Sequence, residues 1–154
     1  MSTARVVTLC AAGVLALAAG VIRPWEGVRY TPYQDVVGVW TTCYGHTKTV
    51  IKGKRYTQAE CDALLEIDMR EALSYVDKCI PNAPDKPRAA FTSLVFNVGP
   101  KGVCGSTLQR KALAGDWKGA CAELDRWKYA GGRVYRGLVL RRADERKLCE
   151  GGLQ

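Results

Sequence analysis

The sequence predicts an α+β domain over residues 24–154, preceded by an apolar segment at residues 1–23. Three observations carry that prediction. Residues 6–22, VVTLCAAGVLALAAGVI, contain no charged side chain and are closed by Arg23-Pro24. Residues 36–46, VVGVWTTCYGH, are rich in β-branched and aromatic residues and interrupted by glycine, as in short twisted strands joined by tight turns. From Thr57 onward the apolar residues recur at helical spacing.

Taken in order, the apolar run lies at the short end of what spans a bilayer and above the length of an ordinary signal-peptide core. Ala11, Ala12, Gly13, Ala16, Ala18, Ala19 and Gly20 dilute its apolarity, so it enters lipid without being held tightly. Four roles fit: a signal peptide cleaved after Ala16-Leu17-Ala18, a permanent anchor, an anchor that later leaves the membrane, or a buried helix of a cytosolic domain. Glu26 to Tyr33 reads as a short helix or helical turn ended by Thr31-Pro32, because the residue before proline is pushed from the α region. Lys48 to Arg55 is a basic turn around Gly53. Thr57 and Glu60 form a capping box opening a long helix to about Lys78, carrying Ala63, Leu64, Ile67, Leu73 and Val76. Pro81 to Pro87 breaks the chain, after which helices are expected at 88–98, 106–114, 117–127 and 141–148.

The chain has 154 residues, 47% of them hydrophobic, enough for a single domain with its own core. Lysine and arginine number 23 against 15 aspartates and glutamates, a net charge of +8 that suits a polyanionic partner: nucleic acid, an anionic membrane or cell wall. A nucleic-acid binder lacks support, since there is no zinc-finger spacing and no aromatic RNA-binding run. Seven cysteines point to an oxidising compartment, and the odd number leaves one unpaired. One histidine and scattered thiols have no metal-ligand spacing, so neither metal nor cofactor is expected.

Glu26 and Asp35 sit in an aromatic, nearly uncharged setting. A glycosidase needs a proton donor for the leaving oxygen and a second carboxylate that attacks the sugar or activates water, and two unlike environments separate those roles. Glu26 beside Trp25, read as the start of a helix, and Asp35 in a polar turn fit that division. They equally fit a favourable helix-dipole contact and a turn residue. Thr41 offers a hydroxyl on the adjoining strand. His46, the only histidine, reads as a hydrogen-bonded structural residue with Asp68 on the long helix as its partner, or else as a substrate contact. Asn97, beside Gly99, is placed to bind an acetamido group. Trp117 and Trp127 are sugar platforms or core. The basic residues from Arg126 to Lys147 form a solvated face or a cell-wall contact.

The order Glu26, Asp35, Thr41, followed by Tyr44-Gly45-His46-Thr47, resembles the Glu-Asp-Thr signature of the phage lysozyme (endolysin) family. The likeness continues through Leu64-Leu65, Phe96 to Gly99, Ser106 to Leu108 and Arg126 to Gly132, and so spans most of residues 25–150. The resemblance implies a lysozyme-like fold, with a small β-sheet lobe and a larger helical lobe joined by a long helix. It also implies hydrolysis of the β-1,4 bond between N-acetylmuramic acid and N-acetylglucosamine in peptidoglycan, with inversion. Glu26 would be the general acid, Asp35 would position or activate the water, and Thr41 would help hold it. Residues 1–23 resemble the amino terminus of signal-anchor-release endolysins, which implies a host inner-membrane stage facing the periplasm, then a periplasmic one. A holin or pinholin would be the functional partner, and the enzyme a monomer. The family pattern implies bridges Cys43–Cys61, Cys79–Cys104 and Cys121–Cys149, leaving Cys10 as packing or as a regulatory thiol that attacks the bridge holding Cys43. The competing function is a noncatalytic cationic protein that binds cell wall or permeabilises membrane.

Overall fold

The computed structural model describes residues 10–153. Readings that fall on residues 1–9 lie outside that range. The first helix, α1, is Ala11–Glu26, followed by strands β1 (Arg29–Gln34) and β2 (Trp40–Cys43). Helices α2 (Gln58–Cys79), α3 (Asp85–Val98), α4 (Thr107–Leu113) and α5 (Trp117–Glu123) come next, then a 3-10 turn at Leu124–Arg126. Strands β3 (Tyr129–Ala130) and β4 (Arg133–Val134) precede the last helix, α6 (Arg136–Glu150). The fold class is α+β as expected: helices around two small antiparallel hairpins.

Where α1 ends departs from expectation. The helix expected at Glu26 to Tyr33 is absent; Glu26 is the last residue of α1, and the chain from Arg29 is strand. Gly27 at φ +64° ends the helix in a conformation that a side chain would strain. Pro32 is tolerated in β1 because this two-stranded sheet has an open edge on which the missing N–H is not needed. Pro24 lies inside α1 and leaves the carbonyl four residues back, on exposed Gly20, to solvent. The helix therefore runs unbroken past residue 23, where the sequence suggested a boundary.

Two apolar clusters form the core. One, under the helical lobe, gathers Val76, Ile80, Phe91, Leu94, Val103, Leu108 and Leu124. The other joins α1 to the hairpin and the long helix: Val14, Leu15, Ala18 and Ile22 pack with Tyr44, Tyr56, Leu65, Met69 and Leu73. Burying a valine, leucine or isoleucine contributes roughly 1.5–3 kcal/mol each, so α1 is a structural member of the domain. Among the described residues no helix is long and apolar enough to cross a membrane.

The capping box is as read: Thr57 Oγ1 accepts from the Glu60 amide at 3.1 Å and Glu60 Oε2 accepts from the Thr57 amide at 2.8 Å. Other boundaries moved. Helix α3 starts at Asp85, since Pro87 in its first turn needs no N–H partner. The helix expected to reach Trp127 ends at Glu123 and tightens into the 3-10 turn. Helix α6 begins at Arg136, well before Arg141, with its first turns largely exposed and so lacking an apolar stripe. The β3–β4 hairpin was not foreseen; it turns on Gly131 and Gly132, both at positive φ, the demand of a tight hairpin turn. Bridges Cys43–Cys61, Cys79–Cys104 and Cys121–Cys149 are present, and Cys10 is free and exposed. Closing a loop the size of Cys43 to Cys61 is worth about 3 kcal/mol on the chain-entropy account.

Candidate active site

Glu26 stands at the end of α1, and Asp35 and Thr41 on the hairpin that follows it. Glu26 closes α1, and its Oε1 accepts a 2.7 Å hydrogen bond from Arg141 Nη1 on α6. Its neighbour Trp25 donates from Nε1 to Asp144 Oδ2 at 2.8 Å, tying the end of α1 to the same helix. Gly45, at φ +87°, lies so close that a Cβ there would stand 3.6 Å from Glu26 Oε2. The Gly45 amide bonds the Thr42 carbonyl at 3.1 Å, one residue from Thr41. The hairpin turn at Cys43 to His46 thus seats the β lobe against the carboxyl group.

Asp35 and Thr41 share the other end of that hairpin. Tyr33 pairs with Thr41, Gln34 pairs with Trp40, and the Asp35 amide bonds the Val39 carbonyl at 2.9 Å. With side chains alternating along a strand, Asp35 and Thr41 are diagonal neighbours on one face. Asp35 Oδ1 accepts from the amides of Val37 at 3.0 Å and Val39 at 2.8 Å. Those bonds fix the carboxylate through Oδ1. Thr41 is buried and donates from Oγ1 to the Val39 carbonyl at 3.1 Å, which leaves the oxygen lone pairs available.

Beside Glu26 opens a cavity of about 370 Å³, walled by Tyr44, Lys48, Glu71, Tyr75 and Asn97. Its lining does not include Asp35 or Thr41. Lys48 and Glu71 form an ion pair, linking the segment after the hairpin to α2. Asn97 Oδ1 accepts from Arg142 Nη2 at 2.9 Å, so its NH2 is the end left to donate.

His46 belongs to the fold. It is 3% exposed, and its Nε2 accepts from the Thr49 amide at 3.1 Å, which puts the proton of a neutral ring on Nδ1, 2.8 Å from Asp68 Oδ2. Both nitrogens are engaged, leaving neither for a sugar. Trp117 and Trp127 pack against the helical core, as their helical spacing suggested. Cys10 stands just before α1, at the opposite end from Glu26, and a helix of this length spans about 24 Å. The docked helix therefore keeps that thiol far from the bridge at Cys43.

The residues that sequence reading missed are Arg141, Arg142 and Glu145. They were counted as part of a charged surface, yet Arg141 is 5% exposed and the other two 0%. Glu145 is held by Ser93 Oγ at 2.7 Å and by Arg142 Nη2 at 3.0 Å. Burial pushes the Glu145 carboxyl up and the Arg142 guanidinium down from their usual ranges, each drawn back by the charge of the other. The only signal in sequence was a pair of arginines one helical turn before a glutamate.

The sequence pattern of the phage lysozyme family matches residues 23–145. The chain belongs to the phage lysozyme family. It is 49% identical over 131 residues to the SAR-endolysin of Enterobacteria phage P21, covering 84% of this chain and 79% of that one. It is 38% identical over 122 residues to the SAR-endolysin of Escherichia phage Mu, covering 78% and 71%. The active form of the P1 phage endolysin Lyz superposes with a TM-score of 0.83 at 27% identity, covering 96% of this chain and 97% of that structure. The secreted inactive form of Lyz gives 0.55 and covers 68% of this chain and 76% of that structure. The lysozyme-like architecture and the lysozyme type of glycoside hydrolase follow from this membership, and the noncatalytic alternative is not favoured.

Proposed function

We propose that this phage lysozyme is an endolysin cleaving the β-1,4 bond between N-acetylmuramic acid and N-acetylglucosamine, with Glu26 as general acid, Asp35 positioning or activating the attacking water and Thr41 helping to hold it. The observation that supports the assignment is Glu26 at the wall of the sugar-sized cavity, with Asp35 and Thr41 side by side on the hairpin that follows α1. Asp35, whose Oδ1 is fixed by two backbone amides, suits the residue that positions or activates the water. Asn97 supplies an amide donor for an acetamido group. Peptidoglycan is the substrate, and the enzyme acts as a monomer with no metal or cofactor. The test is release of reducing ends from purified peptidoglycan by the full chain. Activity surviving in Asp35→Asn at the wild-type rate would remove that residue from the mechanism.

The apolar segment serves first as an uncleaved anchor in the host inner membrane and then, after release to the periplasm with a holin or pinholin as functional partner, docks as α1. Two observations support this: the SAR-endolysin relatives, and the docked helix with its buried face of Val14, Leu15, Ala18 and Ile22. Ala12 and Ala16 are exposed in the docked helix, so leucine at those positions and at Gly13 raises lipid affinity while leaving the four buried positions unchanged. The triple variant is expected to stay in the membrane fraction and delay lysis. Mass spectrometry of the soluble form is expected to find residues 1–22 attached; a start after Ala18 would instead establish cleavage. Cys10→Ser is expected to lyse on time, since the docked helix holds the thiol away from Cys43.

A further inference from the structure

Two neighbouring residues of α1 are each held by a different residue of α6. Glu26 Oε1 accepts from Arg141 Nη1 at 2.7 Å, and Trp25 Nε1 donates to Asp144 Oδ2 at 2.8 Å. Arg141 and Asp144 are three residues apart on α6, so their side chains stand one above the other on the same side of that helix. Trp25 and Glu26 leave α1 about 100° apart around its axis. One contact between two helices leaves each free to roll about it. Two contacts that leave one helix in different directions fix both the roll and the height of its end, and Glu26 is the end residue.

Three features make that end depend on side-chain contacts. Pro24 takes one backbone hydrogen bond out of the last turns. The buried side chains that seat the helix stop at Ile22, one turn short of Glu26, and Gly27 turns the chain away at once. Arg23 reaches Asp62 on α2 at 3.4 Å, but both side chains are well exposed, and such pairs contribute little. The half-buried Trp25 is a firmer tether. An indole has a single N–H to give, and a hydrogen bond to a carboxylate is of the stronger, charge-assisted kind.

We propose that Asp144 is a positioning residue for glycoside hydrolysis: through the Trp25 indole it fixes the roll of the end of α1, and so the direction from which the Glu26 carboxyl meets the leaving sugar oxygen. The proposal rests on Glu26 being the general acid. Asp144 is exposed on α6, and neither it nor Trp25 lines the cavity beside Glu26. Its effect on the rate passes through Trp25.

The experiment is a double-mutant cycle on kcat and KM, with the full, disulfide-bonded chain and soluble peptidoglycan oligosaccharides. Asp144→Ala removes the acceptor; Trp25→Phe keeps a ring and removes the donor. Each is expected to lower kcat about tenfold, inside the loss that a misplacement of about 1 Å can cause. KM is expected to stay within about twofold, as when an interaction that serves the transition state alone is removed. Asp144→Asn, whose amide oxygen still accepts from the indole, is expected to restore most of kcat. Trp25→Phe combined with Asp144→Ala is expected to be no slower than the slower single variant, because both break the same bond; independent roles would multiply the two losses. A folded Asp144→Ala with the parent kcat overturns the proposal. So does a loss that Asp144→Asn fails to restore, or one that multiplies in the double variant. Should Trp25→Phe fail to fold, the comparison of alanine with asparagine at 144 decides alone. Failure of the underlying assignment looks different: Glu26→Gln would then keep the parent rate, whatever the variants at 144 do.

Discussion

Glu26→Gln is expected to lose at least about 100-fold of the rate of peptidoglycan cleavage while melting within a few degrees of the parent, the loss being the span typical of general-acid catalysis. The amide is nearly the same size and can still accept a hydrogen bond from Arg141 Nη1 through its oxygen, so the junction of α1 and α6 persists. What it lacks is a proton to give the leaving sugar oxygen. The assay is reducing-end release at the pH optimum of the wild type, with circular dichroism recorded on the same samples. Retention of more than about a tenth of the parent rate would remove Glu26 from the role of acid, given that span.

The second large effect is expected when the chain is begun at Pro24. Such a chain keeps Glu26, Asp35 and Thr41, and on the sequence alone it looked like the whole catalytic domain. The structure makes it a domain without one of its walls. Val14, Leu15 and Ile22 leave the cluster around Tyr44, Leu65, Met69 and Leu73, and the helix that holds Glu26 opposite Arg141 is cut to a stub. Loss of cooperative thermal unfolding, together with a fall in rate comparable to that of Glu26→Gln, is the expected outcome. Ile22→Ala in the full chain is a milder step along the same path, at about 2–5 kcal/mol for a buried isoleucine. A chain begun at Pro24 that melts and hydrolyses like the parent would show that α1 contributes neither stability nor placement.

The parts of this fold that were legible in sequence are those encoded by neighbours. Thr57 and Glu60 cap α2 through contacts three residues apart. The pairing of His46 with Asp68 was legible as an expectation because a lone histidine in a β-rich segment needs a partner. Glu26 was placed on the wrong side of a helix boundary for a physical reason: local pattern cannot tell whether Gly27 opens or closes a helix when strand and helix both fit the residues that follow. The β3–β4 hairpin is too short for alternation to register, although Gly131-Gly132 marked its turn. Arg141, Arg142 and Glu145 were invisible as interior groups because their burial is imposed by α1 and α3, which lie far away in sequence.

All three disulfides fasten residues 43 and beyond. Helix α1, with the acid at its tip, is fastened by none; it is seated by apolar side chains, by the Arg141 contact and by the bond from Trp25 to Asp144. The molecule is thus a covalently braced chassis with one plug-in part, and the plug-in part carries Glu26. On the proposed release from the membrane, seating it asks for no covalent bond to be made or broken, and side-chain contacts oppose its unplugging. The bracing can be complete before the plug arrives.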